Sequence, residues 1–199
     1  GVDSLFGEAN VDRFVLNLVA SLNGVGNFSD LGVDTSSDLV QLNVWNPASS
    51  STMAVISNFT PGTNGDRIDL LSFPGTFTGW DGNTNPFSTG TGGGYLRVVQ
   101  SGADTLVQMD ASGPANGVDF QTFFKLVGVT ATSLTSANFT LGFNPDGGVT
   151  PGVTITGTAG ADNYSTSTTP GTTGGDDIVS GLGGNDTILG GPGDDQLNG

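Results

Sequence analysis

Asp162, Asp177, Asp186 and Asp195 stand in one recurring sequence context. Written as nine-residue lines, Thr172–Ser180 reads TTGGDDIVS, Gly181–Leu189 reads GLGGNDTIL and Gly190–Asn198 reads GGPGDDQLN. Place four is glycine in each line (Gly175, Gly184, Gly193), place six is aspartate, and place eight is aliphatic (Val179, Ile188, Leu197). An earlier line, Gly157–Ser165, puts Gly160, Asp162 and Tyr164 at the same places. Thr166–Gly171 (TSTTPG) then interrupts the register. At the other end, Gly1–Phe6 reads as places four to nine of a line containing Asp3, and Gly7–Val15 as a degenerate line with Asp12 at place six and Phe14 at place eight. Gly174–Gly199 holds five aspartates and no lysine, arginine or histidine. Carboxylates at a fixed period with nothing basic beside them call for a cation from outside the chain. Oxygen donors alone select a hard one.

A glycine-rich nonapeptide with aspartate at place six and an apolar residue at place eight is the pattern of calcium-binding β-helix repeats. In these lines the chain resembles the RTX (repeats-in-toxin) family. The resemblance implies a parallel β-roll in which two lines make one turn and line n stacks on line n+2. Places seven to nine would form a short strand with place eight pointing inward. Places one to six would form a loop in which glycine allows positive φ and close backbone approach. Val179 and Leu197 would then stack on one side and Ile188 on the other.

Stacking would also set Asp177 and Asp195 one strand spacing apart, ~5 Å. Two like charges at that distance repel by about 1 kcal/mol in water and by more where water is excluded. Calcium answers that repulsion, taking six to eight oxygens from carboxylates and backbone carbonyls, whereas magnesium demands a tighter octahedron and keeps its waters. The expected calcium residues are Asp177 with Asp195, Asp186 with Asp162 if TSTTPG loops out or with a further repeat beyond Gly199, glycines Gly175, Gly184 and Gly193 through the loops, and Asp3 and Asp12. The bland alternative is a disordered glycine-aspartate linker, which leaves the place-eight register an accident.

Composition narrows the remaining classes. The chain has 199 residues and a formal net charge of −15, with Glu8 the only glutamate among 19 acidic residues. A merely solvated acidic surface would use both acids, whereas aspartate favours turns and holds its carboxylate near the backbone. Only four residues are lysine or arginine, so nucleic acid is excluded as a partner and anionic membrane surfaces are disfavoured. No 18-residue apolar run predicts membrane insertion. Without cysteine or histidine there are no disulfides, no thiolate or imidazole metal ligands, and no usual general base. No nucleophile elbow, metalloprotease helix or phosphate loop appears, and the expectation is that the chain is not an enzyme.

Between the repeat blocks the pattern changes. Asp38–Trp45, Tyr95–Gln100, Thr105–Met109 and Phe123–Val129 read as short strands, separated by turn clusters such as Thr60–Asp66 and Thr89–Gly94. Val11–Leu22 is the sole helix candidate. Ile56–Leu70 (ISNFTPGTNGDRIDL), Ser101–Asp110, Leu126–Val129 and Ser133–Phe139 resemble the type I secretion target region of secreted RTX proteins. Asn58 departs from that pattern where aspartate is common, and Gly75–Gly94 has no counterpart in it. The expected architecture is all-β, a parallel β-roll flanking a β-sandwich or roll-capping module. Residues 1–15 would be the tail of an N-terminal repeat block, 16–145 the capping module, 146–156 a linker and 157–199 the C-terminal repeats.

Lesser candidates have structural readings beside functional ones. Asp81-Gly-Asn83-Thr-Asn85 starts like a calcium loop but lacks its later glycine and glutamate, and reads as a turn. Asp66 and Asp69 either ligate a cation or pair with Arg67 or solvent. Asp110 with Ser112-Gly113 reads as an Asx turn, and Phe120, Phe123, Phe124, Phe139 and Phe143 as core. One Thr-x-Thr stretch in Val153–Thr158 is too short for an ice-facing ladder. The functional expectation is a calcium-dependent structural module of a secreted or cell-surface protein, folding on Ca2+ outside the cell and, by resemblance, exported by type I secretion. Its partners would be several calcium ions and either the rest of a longer polypeptide or copies of itself stacked head-to-tail in a fibre. An adhesin or carbohydrate-binding role is the third reading, resting on Trp45 and Trp80.

Overall fold

The computed structural model describes residues 4–6, 13–18, 28–31, 37–45, 53–70, 77–87, 94–168 and 170–199. The protein is all-β. Its only helical pieces among the described residues are single 3-10 turns at Pro114–Asn116, Ala131–Ser133 and Ser136–Asn138.

From the start the chain alternates between two parallel sheets. Strands β1 (Ser4–Phe6), β3 (Phe28–Asp30) and β5 (Ala54–Ser57) lie side by side in one sheet. Strands β2 (Arg13–Leu18), β4 (Leu39–Trp45) and β6 (Arg67–Asp69) lie side by side in the other. Val11–Leu22 is therefore not helical where it is described. Arg13–Leu18 runs as a strand along β4, with a register shift between Leu16 and Asn17. Its apolar residues lack a 3.6-residue period, so a helix would bury no coherent stripe, whereas the ladder with β4 satisfies the backbone. Since β1 and β2 pair with β3 and β4, sheet continuity runs across the boundary expected at residues 15 and 16.

The first sheet then changes character. Strand β5 pairs in parallel with β9 (Gln121–Leu126), and β9 continues antiparallel into β8 (Asp104–Met109) and β7 (Leu96–Ser101). The order is β1-β3-β5-β9-β8-β7. Alternation of buried and half-exposed residues in β8, with Thr105, Val107 and Met109 inward, is the period-2 signature of a strand covered on one face. Gly102, at φ +64, begins the two-residue turn that closes β7 onto β8. The main core gathers Ile56, Ile68, Leu70, Leu96, Met109, Phe123, Phe124, Phe139 and Phe143. Phe120 stays outside it, and its ring instead lies 4.0 Å beneath the Arg97 guanidinium.

The C-terminal strands are shorter. Strands β10 (Thr154–Thr156), β12 (Ile178–Ser180) and β14 (Gln196–Asn198) form a parallel sheet, with Val179 beside both Ile155 and Leu197. Strands β11 (Asn163–Tyr164) and β13 (Thr187–Ile188) form a second, with Tyr164 beside Ile188. Ile155, Tyr164 and Val179 make a small core of their own, backed by Val153 and Ile188.

Part of the expected linker 146–156 is thus structure. Gly148–Thr156 (GVTPGVTIT) is one more nine-residue line, with Ile155 at place eight. It escapes a search by motif because Pro151 replaces the glycine of place four and Val153 the aspartate of place six. This segment is also tied to the middle of the chain. Asn85 donates through Nδ2 to the carbonyls of Asn144 and Gly148, both at 2.9 Å, and Gly174 N–H donates to Gly142 O at 2.9 Å.

Candidate functional site

Each place-six aspartate precedes a strand of the C-terminal sheets, and these carboxylates do two jobs, both of which fall to Asp177. The first is local. Asp177 Oδ2 accepts the backbone N–H of Thr173 at 2.8 Å and Oδ1 accepts the Thr173 hydroxyl at 3.0 Å. Likewise Asp162 Oδ2 accepts Thr158 N–H at 2.7 Å. The carboxylate thereby closes its own loop, the Asx-type bonding that makes aspartate a turn residue. The second job joins turns. Asp177 Oδ1 accepts Val153 N–H at 2.8 Å, Asp195 Oδ1 accepts Asp177 N–H at 2.9 Å, and Asp186 Oδ1 accepts Asp162 N–H at 3.0 Å.

The structure therefore brings Asp177 together with Asp195, and Asp162 together with Asp186. The insertion Thr166–Gly171 leaves the second pairing intact. Asp177 is fully buried.

The glycines explain how the loops come so close. Gly184 and Gly193 adopt φ +124 and +118, and a Cβ on either would fall 2.6 Å from a carbonyl oxygen, that of Gly160 or Gly175. Gly175 sits in the same way over Thr150 O. Place one, which the motif leaves unremarked, matters as well. A Cβ on Gly157, Gly181 or Gly190 would lie 2.7, 2.3 or 2.0 Å from Oδ2 of Asp162, Asp186 or Asp195. The Asp177 line has Thr172 at that place, whereas in these three loops the place-one glycine makes room for the carboxylate. Its signal was present in the lines, where Gly157, Gly181 and Gly190 all open one.

Charge accumulates here without relief. Among the described residues no repeat aspartate is paired with a basic side chain. Lys125 binds Asp104, with Nζ 2.7 Å from Oδ2, Arg97 contacts Gln108 and Phe120, and Arg13 bonds Gln41. Arg67 reaches the repeats only through the Thr166 carbonyl. Burial, together with the carboxylates of Asp177, Asp176 and Asp194, pushes the Asp195 carboxyl above the ordinary carboxylate range, against the pull of the Asp177 N–H. Burial first, and then Asp162 and Asp186, raise the Tyr164 hydroxyl.

Oxygen is the only donor type present. Among the described residues no group of three or more acidic, histidine or cysteine side chains converges, so a bound cation would need carbonyl oxygens besides a carboxylate pair. The stacked loops offer both, and the donor set fits a hard divalent cation.

The remaining candidates separate clearly. Asp3 and Asp12 lie outside the described residues. Asp66 does not face solvent: it is buried and accepts Asp38 N–H at 2.9 Å and Thr60 N–H at 2.7 Å, the same kind of bonding that Asp177 shows. Asp38 and Asp66 immediately precede β4 and β6, so the bond between them repeats the rung seen in the C-terminal lines, here 28 residues apart. Sequence reasoning missed Asp38 altogether. Asp81 closes a turn on Asn83 and Thr84. Asp110 holds Ser112 and Gly113 and accepts Asp119 N–H. Trp80 meets Phe77 and Phe143 edge-to-face with centroids 5.4 and 6.3 Å away, which makes it a packing residue. The Trp45 side chain is outside the described set.

Compared with family models, curated proteins and solved structures, the chain finds no match in any of the three.

Proposed function

We propose that the chain is a calcium-dependent structural module of a secreted or cell-surface protein, its C-terminal lines wound as a parallel β-roll. The observation that carries this reading is the stacking of place-six aspartates, the Asp195 carboxylate on the backbone N–H of Asp177 and the Asp186 carboxylate on that of Asp162, in a segment without one basic residue. Calcium would be held by these carboxylates together with loop carbonyls at the place-four glycines, and would neutralise the charge that stacking concentrates. The chain's own residues set the rest. Backbone N–H groups orient each carboxylate, the place-one and place-four glycines let the turns approach, and Ile155, Tyr164 and Val179 supply a small dry core.

That core is too modest to hold the repeats alone against chain entropy. Each cation bound to the folded state adds RT ln(1 + [L]/Kd), so the repeats would order at millimolar calcium outside cells. A chain with neither histidine nor cysteine suits a structural role better than a catalytic one.

Far-UV circular dichroism during a calcium titration, from a metal-stripped start and with magnesium as control, tests the reading. A cooperative gain of β signal with calcium alone supports it. An unchanged spectrum after elemental analysis has excluded tightly held metal removes it.

A second reading, assembly through the repeats, has one observation behind it. Strands β13 and β14 each pair on a single edge among the described residues, and Leu197 is 48% exposed. Open edges seek another strand, supplied either by further repeats or by another copy. Sedimentation velocity at matched calcium separates the two, since only copies change the mass.

A further inference from the structure

Thr166–Gly171 breaks a register that resumes at once, so its six residues do nothing for the stacking of the lines. The described ones among them are nonetheless held by hydrogen bonds. Thr168 accepts Ser165 N–H through Oγ1 at 2.9 Å, and Thr172 N–H donates to Ser165 O at 3.1 Å. Across from the insertion stands Arg67 of β6, and between them lies a cavity of about 510 Å3. That volume falls within the range of small-ligand sites, roughly 300–1,000 Å3.

Arg67 is an unusual group to find there. Its Nη2 donates to the Thr166 carbonyl, but its Nε is out of water's reach and bonds to nothing. Desolvation lowers the guanidinium's pKa from its ordinary value, partly offset by Asp69. A guanidinium offers five donors in a planar fork that matches a carboxylate; with Nε enclosed and one Nη2 donor on Thr166, the remaining Nη1 and Nη2 donors are the ones a ligand could take. The walls add hydroxyls. Thr63, Ser136 and Thr154 line the cavity, and no hydrogen bond within the chain engages their side chains among the described residues. Pro151 and Pro170 contribute apolar surface.

We propose that this cavity binds a small hydroxylated carboxylate of the uronic-acid class. Arg67 takes the carboxylate, the three free hydroxyls take ring hydroxyls, and the proline faces cover the C–H side of the sugar. One cation matches one negative charge, which favours a monoanion over phosphate or sulfate. The insertion exists to build the wall that carries Thr166.

Isothermal titration calorimetry on the full chain in calcium-containing buffer tests this, with sodium glucuronate, glucose and sodium sulfate as parallel ligands. Glucuronate is expected to bind saturably and at least about tenfold more tightly than either control, a factor of ten being about 1.4 kcal/mol. Arg67→Lys keeps the charge but loses the fork, and is expected to weaken glucuronate about tenfold or more. Thr154→Trp, on the exposed face of β10, is expected to abolish binding by filling the cavity while leaving Arg67 untouched. Circular dichroism confirms that both variants fold. No saturable heat with glucuronate, equal affinity for glucose or sulfate, or unchanged binding in both folded variants would overturn the proposal.

Discussion

The carboxylate of Asp195 accepts the backbone N–H of Asp177, eighteen residues earlier, at 2.9 Å. The side chain that completes one turn is supplied by the next. Asp177 plays the same part toward Val153 while also holding Thr173, so it is the most heavily used carboxylate of the repeats.

Asp177→Ala should therefore be the most damaging single truncation among the repeat aspartates. It strands two backbone N–H groups, each worth roughly 1–3 kcal/mol when left unsatisfied. A loss of about 2–4 kcal/mol is expected in urea unfolding, against clearly less for Asp176→Ala, whose carboxylate receives only Asp194 N–H. Equal losses would show that the rung contributes little.

Gly184 and Gly183 are neighbours with opposite expectations. Alanine at 184 would place Cβ 2.6 Å from the Gly160 carbonyl at a φ of +124, whereas alanine at 183 meets nothing within 4 Å. Gly184→Ala should cost about 2 kcal/mol or more through strain and turn separation. Gly183→Ala should be near neutral, and thermal unfolding of the pair gives the comparison.

Asp195 sets a pH dependence in the metal-free protein. Burial and the neighbouring carboxylates raise its folded-state pKa above the unfolded value of about 4. Its contribution to stability is thus complete below that value and is lost as pH rises through the folded pKa. Asp104 works in reverse. The Lys125 ammonium and the Gly128 N–H lower its pKa, so its share is present above about pH 4 and lost as pH falls through the folded value. Asp195→Asn keeps an acceptor for Asp177 N–H and removes the titration. Without metal, the variant should be more stable than the parent at pH 7, with the gap closing toward pH 4. A gap that holds constant with pH would refute the assignment.

Leu182 adopts φ +72 at place two of its line, and the corresponding residue of the next line is Gly191, at φ +94. Its side chain is 58% exposed, so little packing offsets a left-handed backbone costing about 1–2 kcal/mol. Leu182→Gly should stabilise by about 0.5–1 kcal/mol after the entropic cost of glycine. Leu182→Val should destabilise. Differential scanning calorimetry reads both.

What could be read from sequence followed how strictly the period was kept. The pairing of Val179 with Leu197 follows from counting nines, because stacking depends only on spacing and an inward place eight, whereas that of Tyr164 with Ile188, across the six-residue insertion, follows only if the insertion is set aside. Asp38 and Asp66 escaped because their turn is 28 residues long, no multiple of nine. The rung survives there in the backbone geometry and not in the motif. Val153 shows that a line can even lose its aspartate, since what the next turn needs from it is a backbone N–H that any residue but proline supplies. The cavity beside Arg67 was invisible for a different reason. It depends on where a six-residue insertion folds back, and only tertiary contact decides that.

The place-six rungs reach in one direction, each later carboxylate holding an earlier backbone group, while the Asp176 carboxylate reaches the other way, to Asp194 N–H. In a stack whose units touch only their neighbours, this makes the molecule mechanically uneven. A force drawing the last turn away along the axis meets a single layer of bonds at a time, and the turns come off in sequence. A force sliding one sheet past the other meets every layer together. A protein built on this plan would resist shear far better than peeling.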